Sequence, residues 1–447
     1  MAQPLRKADF GKHVSLGLTV AALLLCLPMA SFAQATLISL RHHKPAPANP
    51  PAAQPAVHAS QPPAFSIPVE PLGFAAPGPI YQGQRMALAS LDFLDEGRLL
   101  FTFRAPGLIH RDASGADQRQ IRALVLSLPK GNVEDEDLWT LHGDSRYLWI
   151  LHDGSFLLRD LNDLRQGNTN LDLKPLLHFP GPLLWLEMDP SQQYLVTDSH
   201  EPGQTASEPG QVPSPDTAAA SVTTDGSDTS GEPNIVLRIL RRSTGQVMLV
   251  SHVRTVVHLP INSDGYLEPL RGRGREWLLN MNYFTGGNRI LGHVDSICTP
   301  TLQFLAPQEV IASTCNIDGT LSLSAISIDG LHLWDAPQPP IQVWPRLFFS
   351  AGGLRLARET LVVTHPIDAY TPLSFDDVKG QFVEVLDAAT GKVALKASAS
   401  PVLDGGGNVA ISPSGRRVAI LDAGAIHVYE LPAPPPLSSR EQSHPSR

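Results

Sequence analysis

Short apolar stretches separated by turn-forming residues recur along most of the chain, and the clearest run lies between residues 405 and 431. It contains the sequence VAISPSGRRVAILDAGAIHVYEL, which predicts three strands joined by two tight turns. Ser412–Gly415 has Pro at the second position and Gly at the fourth, as type I turns favour. Such a meander cannot bury its own faces, so it predicts a stack of similar units.

Four hairpins share this pattern of an apolar strand, a turn rich in Pro, Gly or Asp, and a second apolar strand. They occupy residues 91–103, 185–198, 302–314 and 409–421. A second recurring element is a Thr-Gly turn between apolar strands, with Gly245 and Gly391 lying 146 residues apart. This distance equals three units of about 45–50 residues, the period of four-stranded repeats.

The SPSG hairpin resembles the first hairpin of a blade in bacterial WD40 or YVTN-type β-propellers, and the resemblance covers residues 80–434. It implies an all-β chain forming a single β-propeller of four-stranded antiparallel blades. Trp334-Asp335 looks like the WD pair of that family, although it falls on the fourth strand of its unit rather than the third. Seven unit starts predict seven blades, beginning near Ala87, Leu141, Pro182, Val256, Thr299, Val343 and Gly405.

The last of these units contains only three predicted strands before the C-terminal tail. An unpaired edge would remain unless a strand from elsewhere completed the blade. Residues 64–72 or 79–86 can supply this strand, so we expect the propeller to be closed by an N-terminal strand.

The N-terminus has the features of a secretory signal peptide at residues 1–35. Three basic residues precede an apolar run from Val14 to Leu27, and Ala33 and Ala35 form an A-x-A cleavage site. The alternative is an uncleaved anchor, although the run is shorter than the roughly 20 residues that a span needs. We therefore expect a periplasmic or secreted protein with no transmembrane span in the mature chain.

Three segments have compositions typical of disorder. Residues 36–79 are rich in Pro and Ala and predict an extended linker. Residues 199–233 contain few bulky apolar side chains and predict a disordered insertion, and residues 435–447 predict a disordered tail. The propeller is accordingly assigned to residues 80–434.

The formal charge of −9 becomes −11 when residues 1–35 are removed. An acidic chain repels phosphate backbones, which argues against nucleic acid as a partner. The basic sequence RGRGREW, with Arg271, Arg273 and Arg275, has the glycine spacing of a solvated loop.

Two cysteines remain after residue 35, Cys298 and Cys315, and they flank a predicted hairpin with its turn at Ala306–Gln308. The hairpin brings them nearly opposite each other, and disulfides persist in exported proteins. We predict a structural disulfide within one blade, worth about 3 kcal/mol on the loop-entropy model. A metal site is disfavoured because two cysteines give too few ligands.

Standard catalytic motifs are incomplete in this sequence. His110–Asp112 spells HRD without the Asn that kinases require, and Thr390–Lys392 lacks the first glycine of a phosphate-binding loop. Lactonase-like propellers hold calcium with carboxylates and amides at the channel mouth, and the corresponding positions here read more simply as turn or surface residues. These positions are Glu187, His258, Asn282, His365 and Asp368. No catalytic, cofactor-binding or metal-binding residue, and no cofactor, is assigned from the sequence.

These observations favour an exported, non-catalytic β-propeller that binds a protein, peptide or glycan, or acts as a scaffold. Two alternatives remain open: a metal-dependent, lactonase-like hydrolase and a structural component of the envelope.

Overall fold

Apolar side chains alternate along short strands throughout the computed structural model, which describes residues 60–76, 89–105, 110–113, 115, 117–143, 146–201, 235–318, 320–338, 342–365, 375–403 and 406–435. All of these residues belong to the unit Gln54–Arg447. The predicted signal peptide, nearly all of the insertion and nearly all of the tail lie outside the described residues. Within them, no helix is long and apolar enough to cross a membrane.

The described residues form 28 strands, which we number in chain order. The first fourteen are β1 (Phe65–Pro68), β2 (Ala89–Asp95), β3 (Arg98–Arg104), β4 (His110–Arg111), β5 (Asp117–Ser127), β6 (Asn132–His142), β7 (Leu148–Ile150), β8 (Phe156–Asp160), β9 (Asp163–Gly167), β10 (Leu173–His178), β11 (Leu183–Met188), β12 (Tyr194–His200), β13 (Ile235–Arg241) and β14 (Val247–Val253). The others are β15 (Gly265–Arg271), β16 (Glu276–Tyr283), β17 (Asn288–Asp295), β18 (Thr301–Ala306), β19 (Glu309–Cys315), β20 (Leu321–Ser327), β21 (His332–Pro337), β22 (Gln342–Phe349), β23 (Arg355–Val363), β24 (Val378–Asp387), β25 (Val393–Ala399), β26 (Val409–Ile411), β27 (Arg417–Asp422) and β28 (Ala425–Glu430). Two 3₁₀ turns, Glu70–Leu72 and Phe375–Asp377, are the helical elements of the described chain.

The strands pair antiparallel in seven sheets, which are the seven blades of a β-propeller. Blade 1 contains β2, β3, β5 and β6 with the short β4 beside β5, blade 2 contains β7–β10, and blade 3 contains β11–β14. Blade 4 has β15–β17, with an isolated bridge from Ile261 to Tyr266 in place of a regular innermost strand. Blade 5 contains β18–β21, blade 6 contains β22–β25, and blade 7 contains β26–β28 with β1.

Blade 7 is closed by the N-terminal strand, as predicted. Strand β1 pairs with β28, with Phe65 opposite Val428 and Pro68 opposite Ala425. This strand lies inside the range 36–79 that the sequence analysis assigned to a linker, so the propeller begins before residue 80. Of the two segments predicted to close the ring, residues 64–72 contain the closing strand.

The apolar core of the described residues is divided into eight clusters, seven of which are each formed by two consecutive blades, while the eighth is a small group around Leu361 and Val363. The cluster between blades 7 and 1 contains Val428 and Phe101, and the one between blades 6 and 7 contains Val385 and Val418. The five others join the remaining neighbours around the ring. Each blade therefore buries its two faces against its neighbours, which closes the ring without a free face.

Six predicted blade starts lie close to observed innermost segments, and one is wrong. Leu141 lies in β6, the outermost strand of blade 1, whereas the first strand of blade 2 begins at Leu148. The error arises because β5 and β6 each span eleven residues, which lengthens blade 1. Gly245 and Gly391 occupy the same position, between the third and fourth strands of blades 3 and 6, as the spacing predicted.

Cys298 precedes β18 of blade 5, and Cys315 is the last residue of β19. The predicted hairpin is formed by β18 and β19, with Thr301 opposite Ser313. The structure joins the two cysteines, with Cα atoms 5.6 Å apart, inside the range for disulfides. Their oxidation in the isolated protein stays a prediction, which is argued below.

Candidate ligand site in the central channel

The innermost segments of the blades meet around the centre of the ring. Strand β2 of blade 1 contacts β7 of blade 2 and β26 of blade 7, and β26 also contacts β22 of blade 6. Arg146, at the start of blade 2, and Arg346 on β22 repel each other electrostatically. Since blades 2 and 6 are not neighbours, this interaction crosses the central channel.

Arg146 is exposed to solvent and is held by two local contacts. Its Nε donates a 3.0 Å hydrogen bond to the carbonyl of Leu148, and its guanidinium lies 5.2 Å from the centre of the Trp149 ring. Among the described residues, the two terminal nitrogens form no hydrogen bond with protein. Solvent reaches the side chain, yet desolvation by the surrounding protein lowers its pKa.

Asp92 on β2 faces Arg146 from blade 1. The Ser90 hydroxyl donates a 2.5 Å hydrogen bond to Asp92 Oδ2. Burial raises the pKa of the Asp92 carboxyl, while the Ser90 bond and the charge of Arg146 oppose that rise. The carboxylate is thus held in place by Ser90 and attracted to the guanidinium of the next blade.

Glu187 on β11 faces Arg146 from blade 3. Burial raises the pKa of the Glu187 carboxyl to about 7, the positive charge of Arg146 lowers it, and Asp198 raises it. A carboxyl with this pKa exists in both protonation states near neutral pH. Arg146 therefore interacts with acidic groups from both adjacent blades.

Arg346 and Glu359 form the opposite side of the cluster, on blade 6. They are directly opposed across the β22–β23 pair. Glu359 is only 1% exposed, and burial raises its pKa to about 8 while Arg346 lowers it. Gln381 Nε2 donates a 2.8 Å bond to Glu359 Oε1, whereas Oε2 has no partner among the described residues.

A buried amide network holds Glu359 from behind. The Gln381 Oε1 atom accepts hydrogen bonds from the Leu403 backbone at 2.8 Å and from Asn408 Nδ2 at 2.9 Å. Gly407, just before Asn408 in the chain, has a φ of +109°, and a Cβ on it would lie 2.0 Å from the carbonyl oxygen of Ala89. Only glycine fits this approach between blades 7 and 1.

The structure brings one of the five sequence candidates, Glu187, to Arg146. Glu187 faces the channel, and His258, in the segment before blade 4, contacts the Trp185 ring edge-on at 4.2 Å between centroids. Asn282 lies on β16 of blade 4, where it donates a 2.7 Å hydrogen bond to Glu268. His365 is exposed after β23 and hydrogen-bonded to Thr364, and Asp368 lies outside the described residues.

Sequence reasoning missed Asp92, Arg146, Arg346 and Glu359. A usable signal exists for two of them: Asp92 interrupts the apolar strand LDFL, and Glu359 interrupts RETLVV. A charge within an apolar strand indicates a partner or a water-filled lining. Arg146 gives no such signal because it precedes a strand of only three residues.

The described residues contain no group of three His, Cys, Asp or Glu side chains placed to hold a metal ion. Two further sequence motifs, the Thr-Gly-Lys turn and the basic RGRGREW segment, lie outside this cluster. Thr390–Lys392 forms the turn between β24 and β25, and Arg271 ends β15 ahead of a turn to Glu276.

No protein family model matches the sequence, and no curated protein matches it significantly. An acylaminoacyl peptidase from Pyrococcus horikoshii aligns with 78% of this chain and 52% of its own, at 10% identity and a TM-score of 0.44. An uncharacterized protein from Listeria monocytogenes EGD-e aligns with 78% of this chain and 96% of its own, at 9% identity and a TM-score of 0.45. Hydrazine synthase from Kuenenia stuttgartiensis aligns with 76% of this chain and 73% of its own, at 9% identity and a TM-score of 0.32.

This chain thus spans about half the length of the peptidase. At these identities and TM-scores, the similarities carry no argument about activity, and the assignment of the fold rests on the strand pairing described above.

Proposed function

We propose that this protein is an exported, non-catalytic β-propeller that binds a small polar ligand, or the end of a larger one, in its central channel. The observation that carries the proposal is Arg146, whose two terminal nitrogens form no hydrogen bond with the described residues and whose guanidinium is held by Leu148 and Trp149. A guanidinium held in this way is ready to form paired hydrogen bonds with a ligand. Peptides and glycans both carry groups that accept such bonds.

A thermal-shift screen of the purified protein against amino acids, short peptides, sugars and organic acids tests this proposal. We expect at least one class to raise the melting temperature of the wild type and of Arg271→Met, but not of Arg146→Met. Arg271 is the matched control because it also stacks on an indole, 4.9 Å from the Trp277 centroid, but ends β15 of blade 4. Ligands that stabilise both variants equally would move the site away from the channel.

Export rests on the N-terminal pattern of residues 1–35. We propose cleavage after Ala35, and N-terminal sequencing of protein from the envelope or medium should read Thr36. Ala35→Lys should leave the precursor uncut because a small residue is required there. Full-length protein in the cell interior would contradict export while leaving the channel proposal intact.

The hydrolase alternative requires a bound metal, and its support is Glu187, which interacts with Arg146, together with His258 against the Trp185 ring. Metal content of the purified protein after dialysis against metal-free buffer distinguishes it. About one metal ion per chain would favour the hydrolase over the binding protein. An envelope scaffold would bind no small ligand in the screen.

A further inference from the structure

The charges around Arg146 alternate in sign from blade to blade. Asp92 lies on β2 of blade 1, which contacts β7 just after Arg146. Asp92 and Glu187 of blade 3 both interact electrostatically with the guanidinium of blade 2. Neither carboxylate forms a hydrogen bond to Arg146 among the described residues, so the three groups are close but not locked together as an ion pair.

A ligand with only negative charge suits this arrangement poorly. Its anionic group could bind Arg146, but Asp92 and Glu187 would repel it, and a doubly charged phosphate would be repelled more strongly. A purely cationic ligand would meet Arg146 and, across the channel, Arg346. The arrangement complements a ligand that carries both charges close together.

Resting on the channel binding proposed above, we infer that the ligand is a zwitterion with a carboxylate and an ammonium group, namely a free amino acid or a short peptide. The carboxylate lies on the two terminal nitrogens of Arg146, in the planar two-bond geometry that guanidinium and carboxylate favour. The ammonium group lies against Asp92, which Ser90 holds in place, with Glu187 on the other side.

The atoms of Arg146 and Asp92 that remain available to a ligand support this orientation. Trp149 and Leu148 fix the plane and Nε of Arg146, so the terminal nitrogens are its remaining donors. Ser90 occupies one oxygen of Asp92, which leaves Oδ1 able to accept a bond from an ammonium group. Each charged end of the ligand therefore has one committed partner.

Isothermal titration calorimetry with L-alanine and L-alanyl-L-alanine at pH 7 tests the inference. The blocked probes are N-acetyl-L-alanyl-L-alanine, which lacks the ammonium group, and L-alanyl-L-alanine amide, which lacks the carboxylate. We expect at least one unblocked probe to bind and each blocked form of it to bind at least tenfold more weakly. Arg146→Met and Asp92→Asn should each weaken binding at least tenfold, and Arg271→Met should leave it unchanged.

Arg146→Lys guards against loss of folding, because it keeps the charge but not the two-bond geometry and should bind with intermediate affinity. Equal binding of the acetylated and free dipeptides would overturn the zwitterion and leave an anion site in the channel. Absence of binding by every probe would also overturn the inference. In that case, a sugar or organic acid that loses binding in Arg146→Met would still uphold the proposed function, whereas no Arg146-dependent ligand at all would overturn both.

Discussion

The Oδ2 atom of Asp198 in blade 3 accepts a 2.7 Å hydrogen bond from the backbone N–H of Val257, in the segment leading into blade 4. The Asp198 side chain is fully buried, and its other oxygen has no partner among the described residues. Burial raises the pKa of this carboxyl to about 6, and the bond from Val257 opposes that rise. A connection between two blades therefore depends on a carboxyl that titrates below neutral pH.

We expect Asp198 to make the protein less stable as the pH rises from about 4 to about 6. The folded state holds this proton more tightly than the unfolded chain, so the stabilisation is present below the unfolded pKa and lost as the pH passes the folded pKa. The loss is at most about 3 kcal/mol, at about 1.4 kcal/mol per pKa unit.

Urea denaturation of Asp198→Asn should show a smaller decrease in unfolding free energy between pH 4 and 7 than the wild type. Asp335→Asn is the control, since the pKa of Asp335 is lowered and its removal should not reduce that decrease. Parallel pH profiles for Asp198→Asn and the wild type would contradict the prediction.

Glu359 should also make the protein less stable as the pH rises, and up to a higher pH than Asp198, because its folded pKa is raised to about 8. Burial disfavours its ionisation in the folded state, so the free energy of unfolding decreases as the pH rises from about 4 to about 8. Glu359→Gln keeps an oxygen for the bond from Gln381 and removes the titration. We expect the variant to gain stability relative to the wild type between pH 6 and pH 9, as measured by chemical denaturation.

Glu384 on the neighbouring strand β24 supplies the matched control of opposite sign. It is buried with Arg358 and also pairs with Lys396 at 2.6 Å, and bonds from both cations hold its pKa below the usual range against the effect of burial. Glu384→Gln should lower the unfolding free energy by about 3–5 kcal/mol at pH 7, as loss of one partner of a buried ion pair does. The difference in unfolding free energy between Glu384→Gln and the wild type should shrink as the pH falls through the folded pKa of Glu384. Identical behaviour of the two Glu→Gln variants would refute the assigned environments.

The closing strand should be essential to stability despite its four residues. Ile67 is 3% exposed and packs in the cluster between blades 7 and 1. Ile67→Ala should reduce the unfolding free energy by about 2–4 kcal/mol, through lost burial and the cavity left behind. Ser66→Ala, on the exposed face of the same strand, should change it by less than about 1 kcal/mol. Equal melting temperatures for Ile67→Ala and the wild type would show that β1 does not close the ring in solution.

The blades could be predicted because their information is local. Ser412–Gly415 and the turn at Gly391 specify hairpins through backbone chemistry within a few residues. The channel could not be predicted in the same way, because Arg146 and Arg346 are 200 residues apart and meet only through the curvature of the ring. The start of blade 2 was misplaced at Leu141 for a related reason, since the eleven-residue β6 continues past the expected length of a strand.

Oxidation of Cys298 and Cys315 is a further prediction from the sequence. Their sequence separation of 17 residues corresponds to about 3 kcal/mol on the loop-entropy model. Alkylation of the denatured protein without reductant should leave both cysteines unmodified, and reduction should add two alkyl groups in the intact mass spectrum. Replacing both by Ser should lower the unfolding free energy toward that of the reduced wild type, and reductant should not affect the double variant. Two alkyl groups added without reductant would show free thiols, and the stability of blade 5 would then rest on the pairing of β18 with β19 and on its packing against blades 4 and 6.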